Sequence, residues 1–99
     1  MKLPKTIKIG RTTYDVSSPL QMSWTASKGD ILYGMQWIRV ALQCNVTKRR
    51  FTEKERAETF WHEVTHGILF DMDHPLFEDE KFVRAFSKRL NDAIHSAKF

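Results

Sequence analysis

The chain has 99 residues, 41% hydrophobic and 12% aromatic, with a net charge of +4 and a single cysteine. A chain of this length makes one small domain with one core and buries only about 60% of its unfolded surface. The composition excludes a disordered chain, and the lone thiol of Cys44 excludes an internal disulfide and fits a reducing cytosol.

The positive charge invites a nucleic-acid reading. Only Lys48-Arg49-Arg50 forms a true cluster, however, and no aromatic stacking motif surrounds it. Solvated surface is therefore the expectation, with nucleic acid disfavoured as a partner. There is no signal-peptide pattern and no long apolar run, so neither export nor membrane insertion is expected.

Residues 1–47 read as a β-rich half. TIKIGRTTYDV gives two short β segments, Thr6 to Ile9 and Thr12 to Val16, around a turn at Gly10-Arg11. Pro19 breaks the pattern. The stretch from Gln21 to Leu42 then reads as a hairpin containing Trp24. Ser27-Lys28-Gly29-Asp30 supply its turn and Ile31 to Leu42 its returning strand, with Gly34 marking a bulge or break. Within that strand Ile38 and Val40 alternate with Trp37, Arg39 and Ala41, as in a half-buried sheet.

From Thr52 the period becomes helical, over residues 52–72. Thr52-x-x-Glu55 is a capping box. Ala57, Phe60, Trp61, Val64 and Ile68 share one side, and Pro75 prevents continuation. A second helix is expected over residues 78–97, with an apolar stripe of Phe82, Val83, Phe86, Leu90, Ala93, Ile94 and Ala97.

The first helix contains His62-Glu63-Val64-Thr65-His66. Positions i and i+4 stack within about 40° on a helix, so both imidazoles project in one direction and can converge on one ion. Glu63 lies about 100° around from His62, where a carboxylate can take a proton from a metal-bound water. The incidental alternative is a wet helix face. But Leu69 lies beside His62 and Phe70 beside His66, so the helix is expected to be covered on both sides, and inward-facing histidines need partners. A catalytic zinc takes a third protein ligand; the residue types leave Glu78, Asp79 and Glu80 as candidates.

TFWHEVTHGILFDM followed by DEKFVRAFSKRL resembles the small ImmA/IrrE-like metallopeptidases, HExxH gluzincins often encoded by phages and mobile elements. In that family the third ligand is a glutamate opening a helix, with an apolar residue three positions later and a phenylalanine six later. Glu80, Val83 and Phe86 match, so the resemblance selects Glu80. YGMQWIRVA and IKIGRTTYDV resemble the family's strand segment and opening hairpin.

The resemblance implies a zincin-like α+β fold, a minimal domain whose small twisted antiparallel or mixed sheet packs on the HExxH helix and a C-terminal helix. It implies Zn2+ held by His62, His66 and Glu80, with Glu63 as catalytic base and proton shuttle. It implies a cytoplasmic protease, in the host cytoplasm if phage-encoded, acting on a peptide or protein such as a repressor-like regulator. The strand from Trp37 to Ala41 is the one expected to pair with substrate. Tyr33 and His74 remain open as oxyanion donors, with a structural role the ordinary expectation for each. Gly67 suggests either tolerance or close approach of a strand, and Cys44 an inert thiol. The alternatives are a catalytically silent zinc-binding protein and a DNA- or repressor-binding accessory acting through the Lys48-Arg50 loop and the basic late helix.

Overall fold

Period-two alternation builds the first half of the chain into strands, and capped helical periodicity builds the second. The computed structural model describes residues 2–23 and 27–99, which leaves Trp24 and its expected place in the hairpin outside the described residues. The elements run β1 (Thr6–Ile9), β2 (Thr12–Ser17), β3 (Gly29–Leu32), β4 (Trp37–Val40), α1 (Glu53–Asp71) and α2 (Glu80–Ser96). This is an α+β fold with a four-stranded mixed sheet in the order β1-β2-β4-β3. The β1–β2 and β3–β4 pairs are antiparallel, whereas β2 and β4 run parallel.

The second hairpin differs from the sequence reading. Its turn lies at residues 33–36, with Gln36 at φ 56 and its amide donating to the Tyr33 carbonyl at 3.3 Å. Gly29 and Asp30, expected in the turn, belong to β3 instead. Asp30 stands directly opposite Arg39 and accepts a two-pronged hydrogen bond from its guanidinium, with Nε at 2.9 Å. That cross-strand pair overrides the turn preference of Ser27-Lys28-Gly29-Asp30. Gly29 fits where nothing larger does, because a β-carbon there would lie 2.4 Å from the Arg39 carbonyl oxygen and 2.8 Å from Thr59 of α1.

One face of the sheet is buried. Ile9, Tyr14, Ile38 and Val40 pack with Phe60 and Val64 of α1 to form the core, while Trp37, Asp15 and Lys8 point the other way. Gly67 belongs to the same contact: a β-carbon there would meet the tips of Ile9 and Ile31 at 2.9 and 3.0 Å, so close approach is the reason for this glycine. A second cluster of Met22, Ala41, Cys44 and Phe51 closes the end of the sheet.

Three layers result: sheet, α1, α2. Among the described residues α2 packs on α1 and on no strand. The middle helix is consequently covered on opposite sides, and Thr59, Glu63, Thr65 and His66 are buried along with its apolar residues. Ile68 departs from the expected stripe and is 40% exposed; it sits roughly 80° around the helix from Phe60, past the edge of the sheet. The expected stripe of α2 is corrected further, since its buried residues are Val83, Ser87 and Asn91. Phe82 and Phe86 stack on each other outside that face, and Ala93 and Ala97 are exposed as well. With no third element for the helix to lie against, its apolar periodicity exceeds what is available to cover it.

Candidate metal centre

α1 is started by the expected capping box. The Thr52 hydroxyl accepts from the Glu55 amide at 3.1 Å, and the Glu55 carboxylate accepts from the Thr52 amide at 2.9 Å. Arg49 clamps the same carboxylate at 2.8 Å, and the guanidinium, followed by the Thr52 amide, draws its proton affinity down to about 2. The other end of α1 closes with Asp73 in the left-handed region at φ 53. There the Asp73 amide donates to the Phe70 carbonyl and the His74 amide to that of Leu69, which satisfies two orphan carbonyls. His74 continues this turn, its Nδ1 accepting from the Leu76 amide at 3.1 Å.

This short connection returns the chain to α1 with Asp79 as N-cap of α2, its carboxylate accepting from the Phe82 amide at 3.0 Å. Asp79 is thereby committed to the cap. Glu80, the first residue of the helix, projects at the two histidines. Its Oε2 lies 3.1 Å from His62 Nε2 and its Oε1 2.7 Å from His66 Nε2. The two Nε2 atoms are 3.2 Å apart. His62, His66 and Glu80 thus form a three-donor group, and Glu78 lines the cavity without joining it.

Sequence reasoning missed one participant. The His66 Nδ1–H donates to the Phe77 carbonyl at 2.6 Å, which orients the ring and, in its neutral form, leaves Nε2 as the lone-pair nitrogen. A backbone carbonyl leaves no mark in the sequence; the nearest signal is the Phe77 ring, packed edge-on against Phe70 and Tyr33. At 2.7 Å from a carboxylate oxygen, this nitrogen shares either a proton or a metal ion with Glu80. In a tetrahedral site with bonds of about 2.0–2.1 Å, ligand atoms stand roughly 3.3 Å from one another. Two of the observed spacings, 3.1 and 3.2 Å, come close to that edge length, and the third, 2.7 Å, is that of a hydrogen-bonded pair. The three donors therefore converge closely enough to hold a divalent cation after a small outward shift.

Glu63 is 8% exposed and His66 7%. Burial first, then the charges of Glu80 and Asp30, push the Glu63 carboxyl up to about 8. Burial holds His62 below the ordinary histidine value against the opposing pull of Glu80, which favours the neutral, ligating imidazole. No protein-family model, curated protein or solved structure matches this chain.

A cleft of about 830 Å³ joins these groups, walled by β3 and α1 on one side and α2 on the other, with Tyr33 at its rim. The Tyr33 ring stacks on Phe70 at 4.0 Å. Its phenol is pushed up to about 12 by burial and by Glu63 and other nearby groups, so it stays a hydrogen-bond donor. The strand at this cleft is β3, the sheet edge. β4 lies between β2 and β3 with both sides paired, so the expectation that Trp37 to Ala41 pairs with substrate is corrected.

The basic cluster is largely engaged elsewhere. Lys48 donates to Gln21 at 3.0 Å and Arg49 holds Glu55. Cys44 is buried away from the cleft, its thiol drawn down to about 7 by hydrogen bonds with Thr47 and Val46. No helix of the described residues is long and apolar enough to cross a membrane.

Proposed function

We propose that this chain is a zinc-dependent peptide hydrolase of zincin type, in line with its resemblance to the ImmA/IrrE-like metallopeptidases. The observation that carries the reading is a buried carboxyl, Glu63, beside a convergent donor set. His62, His66 and Glu80 would hold the metal. Zinc with three protein ligands lowers the proton affinity of a bound water towards about 7 and polarises a carbonyl.

The remaining work belongs to side chains. Without a cation Glu63 keeps its proton at neutral pH; positive charge alongside favours its ionised form and makes it a base. Its carboxylate then takes a proton from the attacking water and delivers it to the leaving amine. Tyr33, held as a donor in the lining of the same cleft, would be the residue to meet the carbonyl oxygen as negative charge develops there. β3, the sheet edge beside the cleft, is the strand along which an extended peptide would add.

Glu63→Gln tests the base. The variant should bind a full equivalent of zinc while peptide hydrolysis falls by about 10²–10⁴-fold, measured with metal analysis beside a quenched-fluorescence peptide pool. Activity equal to wild type would remove the assignment.

One observation favours a structural contribution from the same metal. Val83 is the buried apolar side chain of α2, beside Ser87 and Asn91, so an ion held by Glu80 and the histidines would add to a small apolar contact between the helices. A purely structural site has no use for a buried base, and retained hydrolysis separates the two readings.

A further inference from the structure

Glu80, Arg84 and Lys88 follow one another at four-residue steps on the cleft wall of α2, with Ser87 between the last two. Each step advances about 6 Å along the helix and turns about 40°. Glu80 is spent on the histidines. Arg84 and Lys88 are exposed, and neither takes part in an ion pair among the described residues. Two acidic groups of the cleft lining are held by other cations: Asp30 by Arg39, Glu55 by Arg49. Glu58, on the α1 wall, is the remaining carboxylate of that half of the cleft.

Two unpaired cations beside a site built for a cation raise its local potential and work against metal binding. A ligand carrying negative charge between them removes that penalty. A planar guanidinium next to a flexible ammonium is a suitable pair for a carboxylate, and Glu58 opposite repels the same group and confines it to α2. Resting on the hydrolase reading, we propose that Arg84 and Lys88 form a carboxylate anchor, and that the peptides taken are those with a carboxylate a few residues from the scissile bond. An extended peptide advances about 3.3 Å per residue, so the reach of Arg84 and Lys88 corresponds to roughly two to four residues. The carboxylate belongs either to an aspartate or glutamate side chain or to the peptide's own C-terminus.

The test uses three fluorescein-labelled hexapeptides of otherwise identical sequence: one with an internal glutamate and an amidated end, one with glutamine in its place and an amidated end, and one with glutamine and a free C-terminal acid. Binding is read by anisotropy to the zinc-loaded Glu63→Gln protein, and cleavage separately with wild type. The glutamate peptide, the free-acid peptide or both should bind at least about tenfold tighter than the amidated glutamine peptide, which identifies the source of the carboxylate. In Arg84→Gln/Lys88→Gln that ratio should fall to about one with zinc content unchanged, and in Glu58→Gln it should widen. Arg84→Glu/Lys88→Glu should invert the preference towards a lysine peptide. Equal binding of all three peptides, no binding of any, or a ratio indifferent to the α2 variants would overturn the anchor. If the ratios hold but wild type cuts none of the peptides, the anchor stands and the hydrolase reading falls; cleavage without discrimination does the reverse.

Discussion

The phenylalanines in the body of the two helices meet different fates, although Phe70, in the last turn of α1, is itself 45% exposed. Phe60 of α1 is 1% exposed, while Phe82 and Phe86 of α2 are 36% and 48% exposed. The difference lies in layer position. α1 is pressed between the sheet and α2, so most of its circumference is contested, Ile68 and Phe70 excepted, and even Glu63, Thr65 and His66 are taken out of water. α2 is an outer layer with one neighbour. Apolar periodicity shows which face of a helix can be buried; the number of layers decides whether it is. In a helix covered on both sides the polar residues are the informative ones, because burial obliges each to find a partner. Thr65 solves this locally, donating to the Trp61 carbonyl at 2.7 Å. His66 solves it with Phe77 and Glu80.

The comparison breaks most visibly at Phe60. Phe60→Ala should lower unfolding free energy by about 3–5 kcal/mol, a large share of the roughly 5–15 kcal/mol typical of a small domain. Urea unfolding followed by far-ultraviolet circular dichroism measures it. A loss below about 1 kcal/mol would mean that α1 is not the middle layer.

Chelation addresses the seam between the helices. An ion at one hundred times its dissociation constant stabilises the folded state by about 2.7 kcal/mol, equivalent to roughly 10–20 °C in a domain of this size. Adding EDTA to the zinc-loaded protein should produce a shift of that order. Glu80→Ala should lose both the zinc equivalent and the response to EDTA. A melting temperature indifferent to chelator would leave the α1–α2 contact independent of metal.

These elements were unequally legible in the sequence. The capping box at Thr52 and Glu55, the stacking of His62 on His66 and the alternation of Ile38 and Val40 follow from local periodicities, and local rules suffice for them. The position of Glu80 needed the family resemblance, because i and i+4 logic cannot choose among Glu78, Asp79 and Glu80; the structure separates them by making Asp79 the cap. The turn of the second hairpin is not legible in the sequence, because the Asp30–Arg39 pair and the space beside Gly29 are tertiary facts. β3 rather than β4 is the free edge for the same reason, since strand order is invisible until the parallel β2–β4 pairing is known.

A smaller effect sits at the start of α1. Thr52→Ala removes the hydroxyl that caps the Glu55 amide and should cost about 1 kcal/mol. Acid should do part of the same damage to wild type. The folded-state value of Glu55, about 2, lies below that of an unfolded glutamate near 4.3. The stabilisation is therefore fully present above about pH 5 and is lost as pH falls towards 2. Because the pair with Arg49 faces solvent, screening keeps this contribution to roughly 1 kcal/mol. Arg49→Gln should flatten that portion of the pH–stability curve.

The smallest change is the mirror of the largest. Phe86→Ala removes a ring of the same kind as Phe60, but one stacked only on Phe82 at 5.8 Å and half in water. An exposed pair at this spacing stabilises a helix by about 0.2–0.5 kcal/mol, so the loss should stay near 0.5 kcal/mol under the urea conditions used for Phe60→Ala. A loss approaching that of Phe60→Ala would mean that something covers this face of α2 in solution. The helix would then be an inner layer of a larger assembly, and the contrast between the two helices would belong to the isolated chain alone.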